Sequence, residues 1–178
     1  RALEDALRNK GIQYKIYGGI SFYQRKEIKD LLSYLRMLIN PHDEEALKRV
    51  INTPARGIGA TTLDKITIAA NHYKKSIFEI LQNIDKVDLK LNSGTKNKLQ
   101  NFVNIILALQ IEAQTKNAFE IAETIVKRVG LIKDLEKEGT PEAISKVENI
   151  QELLNGIKDF ITDKIETGEA ASLPVFLE

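Results

Sequence analysis

The sequence predicts a mostly helical protein, and three observations lead to that fold class. Apolar residues recur at intervals of three and four over most of the 178 residues. The breaks between these periodic segments fall at proline, glycine and asparagine, which end or cap helices. A hydrophobic content of 43% is enough to bury the core of a domain of this length. We therefore expect a helical domain of ordinary size.

The first 20 residues depart from the helical pattern. Residues 1–8 are typical of a short helix, and residues 12–17 then alternate in strand fashion before Gly18 and Gly19. A single strand cannot form a sheet by itself. We therefore expect residues 1–20 to be a helix-strand remnant of a sheet that lies elsewhere, and both ends of the chain to be cut from a longer protein.

The following segment predicts three helices. The first runs from residue 23 until Asn40 and Pro41 stop it, and its apolar stripe comprises Ile28, Leu31, Leu32, Leu35, Leu38 and Ile39. The second begins at the acidic residues 43–45, which suit the positive end of a helix, and ends before Pro54. Thr61 followed by Asp64 is a capping-box pattern that predicts the start of the third. Residues 55–60 then form a turn between helices.

The second half of the chain predicts further helices. Residues 76–84 indicate a short helix, and residues 94–114 a long one after a polar connection. Asn117 can cap a helix that Gly130 ends, and Thr140 with Pro141 begins the longest stripe, which comprises Ile144, Val147, Ile150, Leu153, Leu154, Ile157 and Phe160. Residues 167–171 are expected to be a loop before a last helix at Ser172.

The strongest local signal is the run at residues 52–62, which predicts a helix, a Gly-Ile-Gly turn and a second helix. Gly57 and Gly59 lack a Cβ, so both can adopt a positive φ and let a phosphate approach the backbone, while Ile58 packs between the helices. The free N–H groups at Thr61 and Thr62 would then point at that phosphate. This arrangement is typical of a helix-hairpin-helix, which binds DNA backbone irrespective of sequence. A plain interhelical turn explains the same three residues, and the motif alone favours that interpretation.

Local charge favours a phosphate partner, although the formal net charge is only +1. The segment between Glu45 and Asp64 contains no acid but contains three cations: Lys48, Arg49 and Arg56. A second basic window without acids runs from residue 89 to 111, and its cations are Lys90, Lys96 and Lys98. For this second window, a solvated lysine-rich loop and a second phosphate contact both stay open.

No catalytic or cofactor site is expected in this chain. His42 and His72 are solitary, and cysteine is absent, which excludes disulfides and thiolate metal sites. A nucleotide-binding loop would need Gly-Lys-Ser or Gly-Lys-Thr, and neither occurs. A hairpin-containing glycosylase would need a catalytic lysine or aspartate in a base pocket, and no such group is evident. The apolar runs are shorter than the roughly 18 residues that span a bilayer, so we expect a cytoplasmic protein without a membrane partner.

Two stretches of sequence resemble a known family. The run YGGISFYQRKEIKDLLSYLR at residues 17–36, Asn40-Pro41, Asp43 and the run RVINTPARGIG at residues 49–59 resemble the UvrD/PcrA/Rep group of superfamily 1 DNA helicases. The resemblance implies that residues 1–20 belong to motor domain 2A and residues 21–178 to the helical accessory domain 2B, which contains the hairpin-like turn.

The resemblance also implies a function. The parent protein would be an ATP-dependent helicase that moves 3′ to 5′ on single-stranded DNA, with ATP and magnesium bound by motor segments outside this chain. The present chain would contact duplex DNA backbone through Arg56, Gly57, Ile58 and Gly59 and regulate unwinding without ATPase activity of its own. Its other partners would be the remaining motor domains. The alternative is a regulatory module that docks repair proteins.

Overall fold

The computed structural model describes residues 21–168 and Leu177, and this part of the chain is helical. Its eight α-helices are α1 (Lys26–Ile39), α2 (Glu44–Val50), α3 (Ala60–Tyr73), α4 (Ile77–Gln82), α5 (Ser93–Ala113), α6 (Ala118–Val129), α7 (Leu131–Glu138) and α8 (Pro141–Glu166). Short 3₁₀ turns lie at Phe22–Gln24 and Ile84–Lys86. The fold class is therefore confirmed as mostly α for the described residues. The expected helix 1–8, the strand 12–17, the helix from Ser172 and the division at residue 20 lie outside them or are not tested by them.

Side-chain caps begin most of these helices, largely where the sequence predicts them. Asn117 and Glu120 form a complete capping box at α6, and Gly130 ends that helix with a φ of 77°. Thr140 accepts a hydrogen bond from the Ala143 N–H at the start of α8, and Asp43 caps α2 in the same way. Such caps satisfy backbone donors that have no partner inside the helix.

The capping-box prediction at Thr61 and Asp64 is wrong. Helix α3 begins at Ala60, and its N-cap is Gly59, which offers no side-chain hydrogen bond. Thr61 is already in the first helical turn, whereas a capping side chain acts from the non-helical residue that precedes the helix. The first turn of α3 is therefore left without a protein cap.

Helix α7 was not predicted. It lies between Gly130 and Gly139, which both have positive φ values of 77° and 66°. The segment is only eight residues long, so its apolar residues Leu131, Ile132 and Leu135 complete too few turns to predict a helix from the sequence. Packing against α6 and α8 accounts for its helical conformation.

The core is built around α1, which packs against α2, α5, α6 and α8. Ile28, Leu31 and Leu35 on its apolar stripe are fully buried. Two residues assigned to buried stripes are exposed instead: Ile39 by 44% and Ile144 by 55%. Both lie in a terminal turn of their helix, where the periodic pattern continues but the packing partner has ended. Among the described residues, no helix is long and apolar enough to cross a membrane.

Candidate functional site

The α2–α3 turn, residues 51–59, joins α2 to α3 as the sequence predicts. Ile58 is 3% exposed and belongs to the core, so it anchors the turn between the helices as expected. The Thr53–Pro54 peptide bond in the turn is cis. The buried Ile58 side chain therefore anchors the turn to the core, while its neighbours Gly57 and Gly59 are exposed.

The two glycines have different conformations. Gly57 has a φ of 75°, a left-handed conformation that favours glycine, as predicted. Gly59 has φ −87° and ψ 176°, which is extended backbone open to any residue, so the prediction of a positive φ at Gly59 is wrong. A Cβ added to Gly59 would meet nothing within 4 Å. The fold itself therefore does not require glycine at position 59, and the surface above it is open.

Asn52 organises the turn, a role that the sequence analysis missed. Its Oδ1 accepts hydrogen bonds from the backbone N–H of Arg56 at 2.7 Å and from that of Ile58 at 3.1 Å. An asparagine just after a helix is a known turn former, because its side chain can bond to nearby backbone. This preference of asparagine is the sequence signal from which the role of Asn52 in the turn could have been predicted. The amide oxygen fixes both sides of Gly57.

Arg56 points into the fold. Its Nη1 lies 2.7 Å from the carbonyl oxygen of Val50 and 3.1 Å from that of Ile51, at the end of α2. Its Nη2 donates to the Tyr34 hydroxyl, and its guanidinium lies 5.3 Å from the centre of the Phe102 ring. These donors would have to leave their partners before Arg56 could contact a phosphate directly. Arg56 therefore stabilises the turn from inside the fold, and we call its contacts with the Val50 and Ile51 carbonyls and the Tyr34 hydroxyl the Arg56 brace.

Tyr34 completes this brace. Its hydroxyl donates to the Thr53 carbonyl oxygen while it accepts from Arg56. Burial raises the pKa of the Tyr34 hydroxyl, and the nearby Arg56 acts in the opposite direction. The hydroxyl therefore keeps its proton and its role as a donor. Tyr34 is on α1, so the turn is tied to the central helix of the core.

The start of α3 is suited to an anion. The first main-chain hydrogen bond of the helix joins the Leu63 N–H to the Gly59 carbonyl, so the N–H groups of Thr61 and Thr62 precede it. No acidic residue lies in this first turn, and Gly59 contributes no cap. Exposed N–H groups and the positive end of the helix dipole attract negative charge.

The fold brings Lys98, from the second basic window, to the α2–α3 turn. Its Nζ would lie 2.8 Å from a Cβ placed on Gly57, so the ammonium group sits directly over that glycine. Lys96 is half-buried in the first turn of the same helix α5. Two distant basic windows of the sequence therefore meet at one surface.

The cations of α2 are arranged differently. Arg49 Nη1 lies 3.4 Å from the Asp30 carboxylate, whose side chain is 5% exposed. Arg49 therefore pairs with an internal carboxylate of α1, and any phosphate would compete with that pair. Lys48 is exposed on α2. Of the predicted contact residues, those at the turn, at the start of α3 and at Lys98 are together, whereas Arg49 is engaged elsewhere.

His42 is an exposed histidine just before α2, and its side chain makes contacts across the fold. Its Nδ1 lies 2.6 Å from the Ser76 hydroxyl and 3.9 Å from the Glu79 carboxylate. Ser76 also caps α4 by accepting from the Glu79 N–H. The contact therefore links the loop before α2 to the start of α4. Within the described part of the chain, no group of His, Asp and Glu side chains could hold a metal ion.

Comparison with known proteins gives a consistent result over the chain. Residues 1–178 match the family model of the UvrD-like helicase C-terminal domain. The chain is 37% identical over 160 residues to the ATP-dependent DNA helicase PcrA of Bacillus subtilis. This aligned region covers 90% of this chain and 21% of that protein. The chain is 36% identical over 160 residues to the ATP-dependent DNA helicase PcrA of Staphylococcus aureus strain Mu50, and the aligned region covers 90% of this chain and 22% of that protein. It is 34% identical to DNA helicase II of Salmonella typhimurium, again with 90% and 22% covered. The chain thus spans about a fifth of the length of these curated relatives.

Proposed function

Because this chain belongs to the UvrD-like helicase C-terminal domain family, we propose that it binds the backbone of duplex DNA as an accessory part of an ATP-dependent helicase. The relatives are named as ATP-dependent DNA helicases or as a DNA helicase. In this proposal residues 21–178 form the accessory domain 2B and residues 1–20 belong to motor domain 2A. ATP and magnesium act in motor segments of the parent protein, and the remaining motor domains are partners of this chain.

One observation carries the proposal: the uncapped start of α3 lies beside a glycine that has a cation directly over it. Gly59 leaves the first N–H groups of α3 open, and Lys98 Nζ lies over Gly57. Backbone donors, a helix dipole and an ammonium group together match one phosphate of a DNA strand. Because these groups read no base edge, binding would not depend on DNA sequence.

The contact residues divide into two roles under this proposal. Gly57, Gly59, Thr61, Thr62 and Lys98 touch the phosphate or let it approach. Arg56 and Ile58 act as positioning residues: Ile58 is buried and Arg56 donates to carbonyls of the fold. Lys48 and Lys96 add long-range attraction, and Arg49 does so less because of its pair with Asp30. The accessory domain would regulate unwinding by holding the duplex in front of the motor.

Gly59→Val is the sharpest test, because position 59 has extended backbone and open space around the added side chain. Valine is well suited to extended backbone, so the fold should survive while the isopropyl group occupies the space that the phosphate needs. We expect weaker binding to a hairpin duplex, measured by fluorescence anisotropy at several salt concentrations. Thermal melts report folding, and Glu166→Ala, at an exposed residue at the end of α8, is the control.

Lys98→Gln provides an independent arm of the same test. Loss of one phosphate contact should make the slope of log affinity against log salt shallower by about 0.9, for all DNA sequences alike. The proposal is contradicted if the folded Gly59→Val and Lys98→Gln variants bind duplex DNA as tightly as the unchanged chain. The turn would then only connect two helices.

A second candidate function is the docking of a protein, either a repair partner or the motor itself. The observation that favours it is an exposed apolar pair on α5, in which Leu107 is 36% and Ile111 is 67% exposed. Leu107 also lines an open cleft of about 410 Å³ next to residues 81–86. Ile111→Ser should weaken a protein complex in a pull-down experiment and leave duplex binding unchanged. Gly59→Val should weaken duplex binding and leave the protein complex unchanged.

A further inference from the structure

We propose that the open cleft between α3 and residues 88–90, called here the α3 cleft, binds single-stranded DNA. This inference rests on the proposed DNA-binding function and adds a second contact at a different surface. The cleft has a volume of about 370 Å³. Its side chains combine cations, aromatic rings, an exposed aliphatic group and one acid: Lys65, Ile68, His72, Tyr73, Asp88 and Lys90.

The apolar part of the cleft is suited to an unstacked base. Ile68 is 68% and Tyr73 is 44% exposed, so both offer apolar surface that the fold leaves uncovered. The His72 and Tyr73 rings meet edge to face at 4.9 Å, which holds them in defined orientations. Every base has a flat π face, and aromatic side chains bind it without regard to sequence. In a duplex these faces are covered by neighbouring base pairs, so a single strand is the fitting partner.

The cationic part of the cleft is suited to the phosphates of the same strand. Lys65 Nζ lies 3.5 Å from the Lys90 carbonyl oxygen, so both residues border the cleft together. Lys90 has a φ of 50°, a conformation that is uncommon outside glycine and asparagine. Residues held in such conformations cluster at binding sites. A basic groove beside aromatic rings is the general design of single-strand binding surfaces.

Asp88 is the one acidic residue in the α3 cleft, and its charge distinguishes a DNA partner from a protein partner. Its carboxylate would repel a phosphate, so it limits the affinity for DNA. A protein partner would instead be expected to pair a cation with it. The sign of the effect of removing this charge therefore separates the two classes of partner.

The cleft and the α2–α3 turn lie along one helix. Thr61, Lys65, Ile68 and His72 follow each other at spacings of four, three and four residues, which places them on one face of α3. At 1.5 Å per residue, Thr61 and His72 are about 17 Å apart along the axis, the rise of about five stacked nucleotides. A duplex held at the start of α3 could thus pass one separated strand to the cleft.

The test compares two probes on the whole chain by fluorescence anisotropy: a mixed-sequence single strand of about 12 nucleotides, within common site sizes, and a hairpin duplex without a tail. Tyr73→Ala should weaken single-strand binding roughly 5- to 150-fold, as expected for about 1–3 kcal/mol per stacked base. Lys65→Gln should make the single-strand salt slope shallower by about 0.7. Asp88→Asn should tighten binding.

The controls separate this proposal from the proposed function. Ile165→Ala removes a residue that is 67% exposed on α8 and should change neither probe. Gly59→Val should weaken duplex binding and leave single-strand binding in place. If Gly59→Val has no effect on the duplex while Tyr73→Ala still weakens single-strand binding, the turn proposal fails and this one stands. Absence of single-strand binding by the unchanged chain overturns the proposal, as does unchanged single-strand affinity in folded Tyr73→Ala and Lys65→Gln variants. Weaker binding on Asp88→Asn would also overturn it.

Discussion

Replacing Arg56 by alanine distinguishes a brace from a phosphate contact. The guanidinium interacts with the carbonyl oxygens of Val50, Ile51 and Thr53 through Nη1 and with the Tyr34 hydroxyl through Nη2. Because Nη1 carries two hydrogens, at most two of its three carbonyl contacts are full hydrogen bonds at once. The alanine variant therefore loses about three charge-assisted hydrogen bonds. The Val50 carbonyl keeps the Thr53 N–H as a donor and the Thr53 carbonyl keeps the Tyr34 hydroxyl, so these two acceptors stay partly satisfied.

The expected loss of stability follows from this count. Hydrogen bonds to charged groups contribute about 1.5–3 kcal/mol each, but Arg56 is half-buried and water can reach part of the site. A total of roughly 2–4 kcal/mol is the reasonable sum for three bonds that are not additive. For a chain of this size, that corresponds to a fall in Tm of roughly 5–15 °C. Differential scanning calorimetry measures it directly.

Arg56→Lys is the matched control because it keeps the positive charge and loses the planar fork. A brace predicts that the lysine variant melts nearly as early as the alanine variant. A direct phosphate contact predicts that lysine preserves duplex binding and that alanine makes the salt slope shallower by about 0.9. Normal melting of Arg56→Ala combined with that shallower slope would refute the brace.

Three further predictions concern other parts of the chain. Gly57→Val should lower the Tm, because valine resists a φ of 75°. It should also weaken duplex binding, because its side chain would displace the Lys98 ammonium group from above the turn; a variant with unchanged melting would contradict the first expectation. Arg128 and Lys116 hold the pKa of the Glu112 carboxyl below its ordinary value, so this group stabilises the fold above its ordinary pKa and the contribution is lost as the pH falls through its lowered pKa. Urea titrations should therefore show a flatter acid dependence in Glu112→Gln, and identical profiles would count against it. The purified chain should neither bind nor hydrolyse ATP, since it contains no Gly-Lys-Ser or Gly-Lys-Thr loop; DNA-stimulated phosphate release would overturn that expectation.

Local sequence signals predicted much of the helical architecture. Asn117, Gly130 and Thr140 before Pro141 act at the helix ends where the sequence places them. Capping depends on residues within three or four positions of each other, so a single sequence contains the necessary information. Helix α7 was not predicted because its eight residues complete only about two turns, and its packing against α6 and α8 depends on the tertiary structure.

The candidate site could be predicted only in part. The pattern around Gly57 and Ile58 indicated a rigid turn, and the structure has a positive φ at Gly57 and a buried Ile58. The same pattern could not separate Gly57 from Gly59, because both lack a Cβ and only the folded backbone decides which one needs that freedom. It also could not show that the Arg56 side chain turns inward.

By itself, then, the sequence determined the helical class, most helix ends and the family of the chain, because these depend on local periodicity, on caps and on long stretches of shared residues. Only the tertiary structure decided which cations can meet a ligand. Lys98 lies 41 positions from Gly57 in the numbering yet over it in space, while Arg49 and Arg56 are held by Asp30 and by backbone carbonyls. The physical reason is that a charge is available to a partner only where the fold does not already satisfy it, and that depends on contacts between distant segments.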